Sequence, residues 1–400
     1  MKICIINSFY SPDIIGGAEI SVKKLAEEMV NEKNEVSVLC LGKSNLNEKI
    51  NGVNVYRIKE KNLFSTFDLL TNKNMKLNKN LLKLHHLIDV VNIFNYRRIK
   101  KTLIKINPDV IHLNNLYGLS LIVVLIAKRF KIPSIITLRD YSLLYEGNNN
   151  ILSKFKKNIV RSITNDINIV TAPSKYTLNY FLNKGYFKNS IRSTVYNAID
   201  FDKNLINKIH YKKKKSILNK EKITFLYLGR LEKNKGISNM LEAFKQINNN
   251  EILLHIAGKG SEEELVNEYC ESDKRIKYIG FLKEEELSIE LMNCDILIIP
   301  SIWPEPFGRV ILDAYKYCLP VIGSNIGGIP EIIDETTGLL IEAESIDELK
   351  ESIVYFTDKK NILHMMTNLE NKLYGFDIKV QCEKFLFLYK SIKGVDKYNE

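Results

Sequence analysis

Pro304-Glu305-Pro306-Phe307-Gly308-Arg309-Val310-Ile311-Leu312-Asp313 sets two carboxylates eight positions apart across a turn that opens a helix. Pro306 and Gly308 suit the turn and the first helical residues, while Val310, Ile311 and Leu312 continue as a buried stretch. The pattern predicts Glu305 in the loop and Asp313 in the helix body. A helix beginning near Phe307 would offer an anion its free backbone N–H groups and the positive end of its dipole. Eight helical residues rise about 12 Å, roughly the reach from a hexose to a ribose with a diphosphate between them. The same residues also fit a plainer reading, a capped helix carrying two solvated acids.

Further segments accompany this stretch in a fixed order. Tyr10-Ser11-Pro12 precedes Gly16-Gly17-Ala18-Glu19, and Gly229-Arg230-Leu231 precedes Lys235-Gly236. Ala257-Gly258-Lys259-Gly260 and Tyr278-Ile279-Gly280-Phe281-Leu282 come next; Leu319-Pro320-Val321-Ile322 and Gly327-Gly328-Ile329-Pro330-Glu331 follow the acidic stretch. Together, over about residues 1–345, they resemble the signature of the retaining nucleotide-sugar glycosyltransferases of family 4. The resemblance implies an α/β chain with the GT-B fold, two doubly wound Rossmann-like domains facing each other across a cleft, with ligands at the carboxyl ends of the strands. It implies a catalytic set of Glu305 on the hydroxyls of the transferred sugar and Arg230 and Lys235 on the phosphates. Asp313 is then placed on the ribose. Gly258, Gly260, Phe281, Leu282, Phe307 and Gly308 are placed around the donor, and Gly16 and Gly17 join them from an acceptor-side glycine loop. The co-substrate implied is a UDP- or GDP-hexose, and the acceptor a glycan or lipid-linked glycan of surface-polysaccharide synthesis. No cofactor is required. Because protein cations and amides serve the phosphates, the resemblance implies no need for an Asp-x-Asp metal site.

The family typically forms the new bond on the face the leaving group departs, with the departing phosphate taking the acceptor proton. Thr137-Leu138-Arg139-Asp140-Tyr141 stands where many relatives carry a His. Arginine stays protonated and cannot act as a base, so Arg139 and Asp140, with Asn115, are acceptor-side candidates, Asp140 orienting Arg139 or binding acceptor itself. A structural Arg–Asp pair is the alternative. His112 and Asn114 are expected to point toward the cleft mouth, although His112 also fits a core position. Asp313 is one methylene shorter than the usual Glu, and Cys318 replaces a usual glycine. Two further functions stay open: a nucleotide-sugar 2-epimerase on the same fold, and a non-catalytic nucleotide-sugar-binding module. A dinucleotide oxidoreductase is opposed by the absence of G-x-G-x-x-G spacing at Gly16-Gly17.

A chain of 400 residues exceeds the size of a single growing core and predicts two domains. Its 45% apolar and 26% charged content is that of a soluble globular protein. No apolar run approaches the ~18 residues of a membrane span, and residues 3–6 read as a first strand and not as a secretory signal. Cytoplasmic residence is the expectation. The six cysteines, at 4, 40, 270, 294, 318 and 382, form no C-x-x-C pair and read as reduced core residues. His85-His86 is the one adjacent histidine pair, and no ligand spaced to complete a zinc site accompanies it. Residues 1–205 hold 31 Lys and Arg against 16 Asp and Glu, so all the excess of the +11 net charge lies there. Between Lys73 and Lys105, leucines and isoleucines alternate with Lys76, Lys79, Lys83, Arg97, Arg98, Lys100 and Lys101. A basic amphipathic helix of this kind suits the anionic inner face of a plasma membrane; a surface helix packed on its own sheet is the alternative. No nucleic-acid-binding motif accompanies the charge.

Apolar runs at 3–7, 36–40, 53–58, 110–113, 134–138, 167–172 and 193–196 alternate with helical patterns such as 18–31, 119–130 and 176–182, the last capped by Ser174. A second series follows at 223–228, 252–257, 277–279, 296–299, 320–323 and 339–341. The domains predicted are 1–205 and 223–373, joined by a solvated linker at 206–222 that carries Lys212 to Lys215. Residues 374–400 are predicted as a helix crossing back to the first domain. Ser345-Ile346-Asp347-Glu348 has capping-box spacing.

Overall fold

The computed structural model describes residues 1–71, 77–144 and 151–393. They form two compact units, residues 1–197 with the helix Ile378–Lys393, and residues 198–377. Lys73 and Lys76 of the basic stretch lie outside the described residues.

The first unit is built on β1 (Lys2–Ile6), β2 (Glu35–Gly42), β3 (Leu46–Ile50), β4 (Val53–Lys59), β5 (Val110–Leu113), β6 (Ser134–Thr137), β7 (Ile169–Ala172) and β8 (Ile191–Thr194). Their order is β3-β4-β2-β1-β5-β6-β7-β8, and every pairing is parallel except β3 with β4. β5, β6 and β7 are buried at each position, as strands covered on both faces are. The antiparallel edge strand β3 is an addition to the predicted elements. Asn51 and Gly52 join it to β4 with φ of 47° and 84°, the left-handed pair that a two-residue hairpin turn requires. The helix Ile378–Lys393 buries Cys382, Phe385 and Tyr389 in this unit, and Lys393 Nζ reaches Asp109 at 2.9 Å.

The second unit holds β9 (Ile223–Leu228), β10 (Ile252–Ala257), β11 (Ile276–Gly280), β12 (Ile296–Ile299), β13 (Val321–Ser324) and β14 (Gly338–Ile341). The order is β11-β10-β9-β12-β13-β14, all parallel. Strand order reverses between β9 and β12, so the loops leaving these two strands diverge and open a crevice at the carboxyl edge. The first unit has the same reversal between β1 and β5.

Residues 206–222 are not a solvated linker. Lys203–Asn219 is one helix of the second unit, with Asp202 Oδ1 accepting from the amides of Asn204 and Leu205 at its start. Lys213 is buried within the basic run, and its Nζ donates to the carbonyls of Leu291 (3.3 Å), Met292 (2.6 Å) and Cys294. One ammonium thus serves carbonyls left open where the helix Glu284–Asn293 ends. Asp295, fully buried, lies 3.8 Å away and accepts from Lys220 Nζ at 2.7 and 2.9 Å. A run of four lysines reads as solvated, but only partners 78, 79 and 81 residues downstream show that one of them is internal.

Candidate active site

The loop after β9 and the loop after β12 are locked together at the crevice of the second unit. Asn234 offers its carbonyl to the amides of both Ile302 and Trp303 at 3.1 Å. Gly236 has φ 71°, and a Cβ there would stand 1.8 Å from the Pro300 carbonyl oxygen, so only glycine permits this approach. Across that contact Lys235 Nζ donates to Glu305 Oε1, which also accepts from Ser301 Oγ at 2.9 Å. Both partners are mostly buried, with 15% and 18% of their side chains exposed.

The backbone of Glu305 is held from a third loop. Gly328 N donates to the Glu305 carbonyl at 2.7 Å. Gly327 has φ 67°, and a Cβ on it would lie 2.5 Å from Glu305 O and 2.6 Å from Glu305 N. The Gly-Gly turn after β13 therefore fixes Glu305 while the β9 loop fixes its carboxylate. Gly258 and Gly260 act on the other side. Their Cβ atoms would meet the carbonyls of Gly229 (1.7 Å) and Leu231 (2.0 Å), so they allow the β10 loop to lie against Gly229-Arg230-Leu231. Arg230 has its carbonyl held by Tyr227 Oη at 2.8 Å, and its exposed guanidinium bonds Glu232 at 3.0 Å.

Glu305 in a loop, Asp313 in a helix and Gly16 and Gly17 in the N-terminal unit are as expected, while the helix start, the rise drawn from it and the place of Phe307 are corrected. The helix expected near Phe307 begins at Val310 and ends at Lys316, because Gly308, at φ 96°, keeps the chain in a turn. Asp313 lies half-buried in that helix, but Glu305 stands five residues ahead of it in irregular chain. The 12 Å helical rise between the acids therefore does not apply. Phe307 is a core residue at 2% exposure, edge-on to Phe376 at 6.0 Å. Phe281 is exposed and Leu282 half-buried, both after the edge strand β11. Gly16 and Gly17 belong to the first unit, where Gly16 N bonds Glu19 Oε2 at 2.9 Å at the start of the helix Gly17–Asn31.

In the first unit, Asn115, Arg139 and Asp140 line one pocket with Asp89, Asn114 and Tyr117. Arg139 is oriented by Asn114 Oδ1 (2.9 Å) and Asn197 Oδ1 (2.8 Å), while Asp140 Oδ1 accepts from Ser142 N at 2.8 Å. Asp89 was not singled out from the sequence, since no motif surrounds it. Burial pushes its carboxyl up to about 7, and it accepts from Gly118 N at 3.0 Å. A neighbouring cavity of about 400 Å³ is lined by Phe9, Leu41, Phe64 and Phe67, with Lys43 and Lys59 among its polar groups. His112 does not point to a cleft mouth. It is fully buried, with Nδ1 2.7 Å from Tyr389 Oη and Nε2 2.7 Å from Thr137 Oγ1. Thr137 continues to Thr171 Oγ1 at 2.7 Å, and Thr171 donates to the Ile136 carbonyl at 3.1 Å. Read back from that carbonyl, Thr137 donates to Thr171, His112 donates from Nε2, and Nδ1 accepts from Tyr389. Burial, with Arg139 nearby, lowers the imidazole to about 3, in keeping with this neutral tautomer.

Residues 209–372 match the family Glycosyl transferases group 1, and residues 15–203 match Glycosyltransferase Family 4. A Klebsiella pneumoniae protein described as an uncharacterized 42.6 kDa protein in the cps region is 26% identical over 98% of this chain and 100% of its own length. The Escherichia coli UDP-Gal:alpha-D-GlcNAc-diphosphoundecaprenol alpha-1,3-galactosyltransferase is 32% identical over 49% of this chain and 53% of its own. Anabaena HepE, solved in complex with UDP and glucose, superposes with a TM-score of 0.68 at 18% identity, covering 98% of this chain and 100% of that one. The chain belongs to the group 1, family 4 glycosyltransferases. Its two Rossmann-like α/β units are those of the GT-B fold.

Proposed function

We propose that the protein transfers a hexose from a nucleotide sugar to a glycan or lipid-linked glycan of a surface polysaccharide, with retention at the anomeric carbon. The observation that carries this reading is the Lys235–Glu305 pair, held by three loops at the point where strand order reverses. A donor diphosphate entering the crevice competes for Lys235, with Arg230 as a second cation. Glu305 is then released to the hydroxyls of the sugar, and Asp313 serves the ribose. Phosphate binding by Lys and Arg stabilises the leaving group electrostatically. The bond from the anomeric carbon to the phosphate oxygen breaks with its electron pair left on the diphosphate. The acceptor hydroxyl adds on the same face, and its proton passes to the departing phosphate. Lys235 and Arg230 supply the positive charge for this step, so the reaction is proposed to run without added metal. UDP is the preferred nucleotide on two grounds: HepE holds UDP, and the galactosyltransferase is named for UDP-Gal. That enzyme's diphosphoundecaprenol acceptor favours a lipid-linked acceptor.

The test is to incubate the protein, without added metal, with UDP-, GDP-, ADP- and dTDP-hexoses and to follow binding and slow donor hydrolysis by mass spectrometry. One UDP-hexose bound and hydrolysed is the expected result. Failure to bind any donor would remove the reading, and interconversion of the donor's sugar without an acceptor would replace it with epimerisation.

A further inference from the structure

Three side chains that play no part in the proposed transfer meet between β10 and the helix Glu284–Asn293. His255 comes from β10, Glu290 from the last turn of that helix, and Cys294 from the residue that ends it. Among the described residues this is the one group of three potential metal ligands, with ligating atoms all within 4.8 Å of one another. Cys294 Sγ is 3.0 Å from Glu290 Oε1 and 3.9 Å from His255 Nδ1, and His255 Nδ1 is in hydrogen-bond contact with the same carboxylate oxygen. The cysteine is fully buried, while 18% of the His255 and 15% of the Glu290 side chain reach solvent. An ion bound here would therefore keep a wet side.

The geometry points to a zinc site formed by His255 Nδ1, Glu290 and Cys294 Sγ, with water as the fourth ligand. One nitrogen, one sulfur and one carboxylate oxygen form a zinc-type donor set, where magnesium and calcium call for oxygens. Tetrahedral zinc, with bonds of about 2.0 Å to N and O and about 2.3 Å to S, separates its ligands by roughly 3.3–3.6 Å. The two sulfur distances bracket that range. Both contacts of Glu290, with His255 and with Cys294, have to open, and the Cys294–His255 separation has to close slightly. Without an ion the three remain a hydrogen-bonded cluster. Zinc binding takes the sulfur as thiolate, releasing the thiol proton to solvent, and uses the Nδ1 lone pair of His255. The ion would cross-link β10 to the helix that covers it and stabilise the second unit. It lies outside the chemistry proposed at Glu305.

The test uses the full chain stripped of metal by chelation, titrated with Zn²⁺ against a chromophoric chelator, and loaded with Co²⁺ for a thiolate charge-transfer band. The wild type should bind one equivalent that raises Tm, release about one proton per ion, and show the thiolate band with cobalt. Cys294→Ser and the near-isosteric Glu290→Gln, each folded by circular dichroism without metal, should bind zinc on the order of 100-fold more weakly and lose the Tm rise. No wild-type binding would overturn the site, as would equal binding by the wild type and both variants, or a cobalt spectrum without a thiolate band.

Discussion

At the scale of single residues, position in the strand-edge loops separates donor candidates from core. Glu305 and Lys235 stood out as candidates because each sits in a motif, and Gly236, Gly258, Gly260 and Gly327 are explained by backbone approaches that a Cβ would block. Phe307 sits in the same motif, yet it packs inward on Phe376, a partner 69 residues away that no local pattern reveals. His112 shows the same limit. A histidine near a strand end reads equally as cleft or core, and its neutral chain to Tyr389 and Thr137 depends on three separate elements. That chain has a consequence for stability. Its folded pKa, about 3, lies below the ordinary value of 6.5. The stability it contributes is therefore fully present above about pH 6.5 and is lost as pH falls toward 3. Denaturant unfolding from pH 7.5 to 4 should show wild type exceeding His112→Gln by most at neutral pH. That margin should shrink by a few kcal/mol, about 1.4 per pH unit, as the acid is added. A constant margin would show that His112 does not titrate in this way.

At the scale of elements, strands bounded by turn residues were read within about two residues, because apolar runs of four to six residues leave little choice of register. Ser174 caps its helix as expected, accepting from Thr177 N at 3.1 Å. Ser345 likewise accepts from Glu348 N at 3.3 Å, but Glu348 turns its carboxylate to the amide of Glu342 and completes no box. The β3–β4 hairpin was missed although Asn51-Gly52 signals it, since β3 carries too few apolar residues to stand out. The basic stretch, read as one helix, is two. Lys79–Val90 and Tyr96–Ile106 are separated by the 3-10 turn Ile93–Asn95, and the second helix buries Ile99, Leu103 and Ile106 inward. That inward face matches the packed-helix alternative. Leu81, Leu84, Ile93 and Phe94 nevertheless remain exposed, with Phe94 at 59%, in segments that carry Lys79, Lys83 and Arg97. Peripheral contact with an anionic membrane is proposed on this set. Flotation should require anionic lipid, weaken with salt, and fall several-fold in Ile93→Ser/Phe94→Ser. Equal flotation on neutral vesicles would argue against it.

For the whole molecule, two sheets, parallel apart from the edge pair β3–β4, each have a reversal of strand order; Lys235 and Glu305 meet at that of the second unit, and Asn115 follows β5 at that of the first, while Arg139 and Asp140 follow β6 and Phe281 and Leu282 follow the edge strand β11. The repetition of strand and helix made this fold legible. The role of residues 203–219 was not, because its buried lysine is explained only by the second unit's three-dimensional packing. Charge divides with the units, since the excess of positive residues lies in 1–205. No described helix is long and apolar enough to cross a membrane. The central claim is that Lys235 and Glu305 change partners when donor binds, so that Glu305 acts on the sugar and not on the nucleotide. The most direct measurement compares wild type with Glu305→Gln for UDP affinity and for turnover of the donor identified by the panel. The account predicts UDP affinity within a few-fold and turnover lower by about 100- to 1,000-fold. Turnover equal to wild type, with UDP still bound, would contradict it.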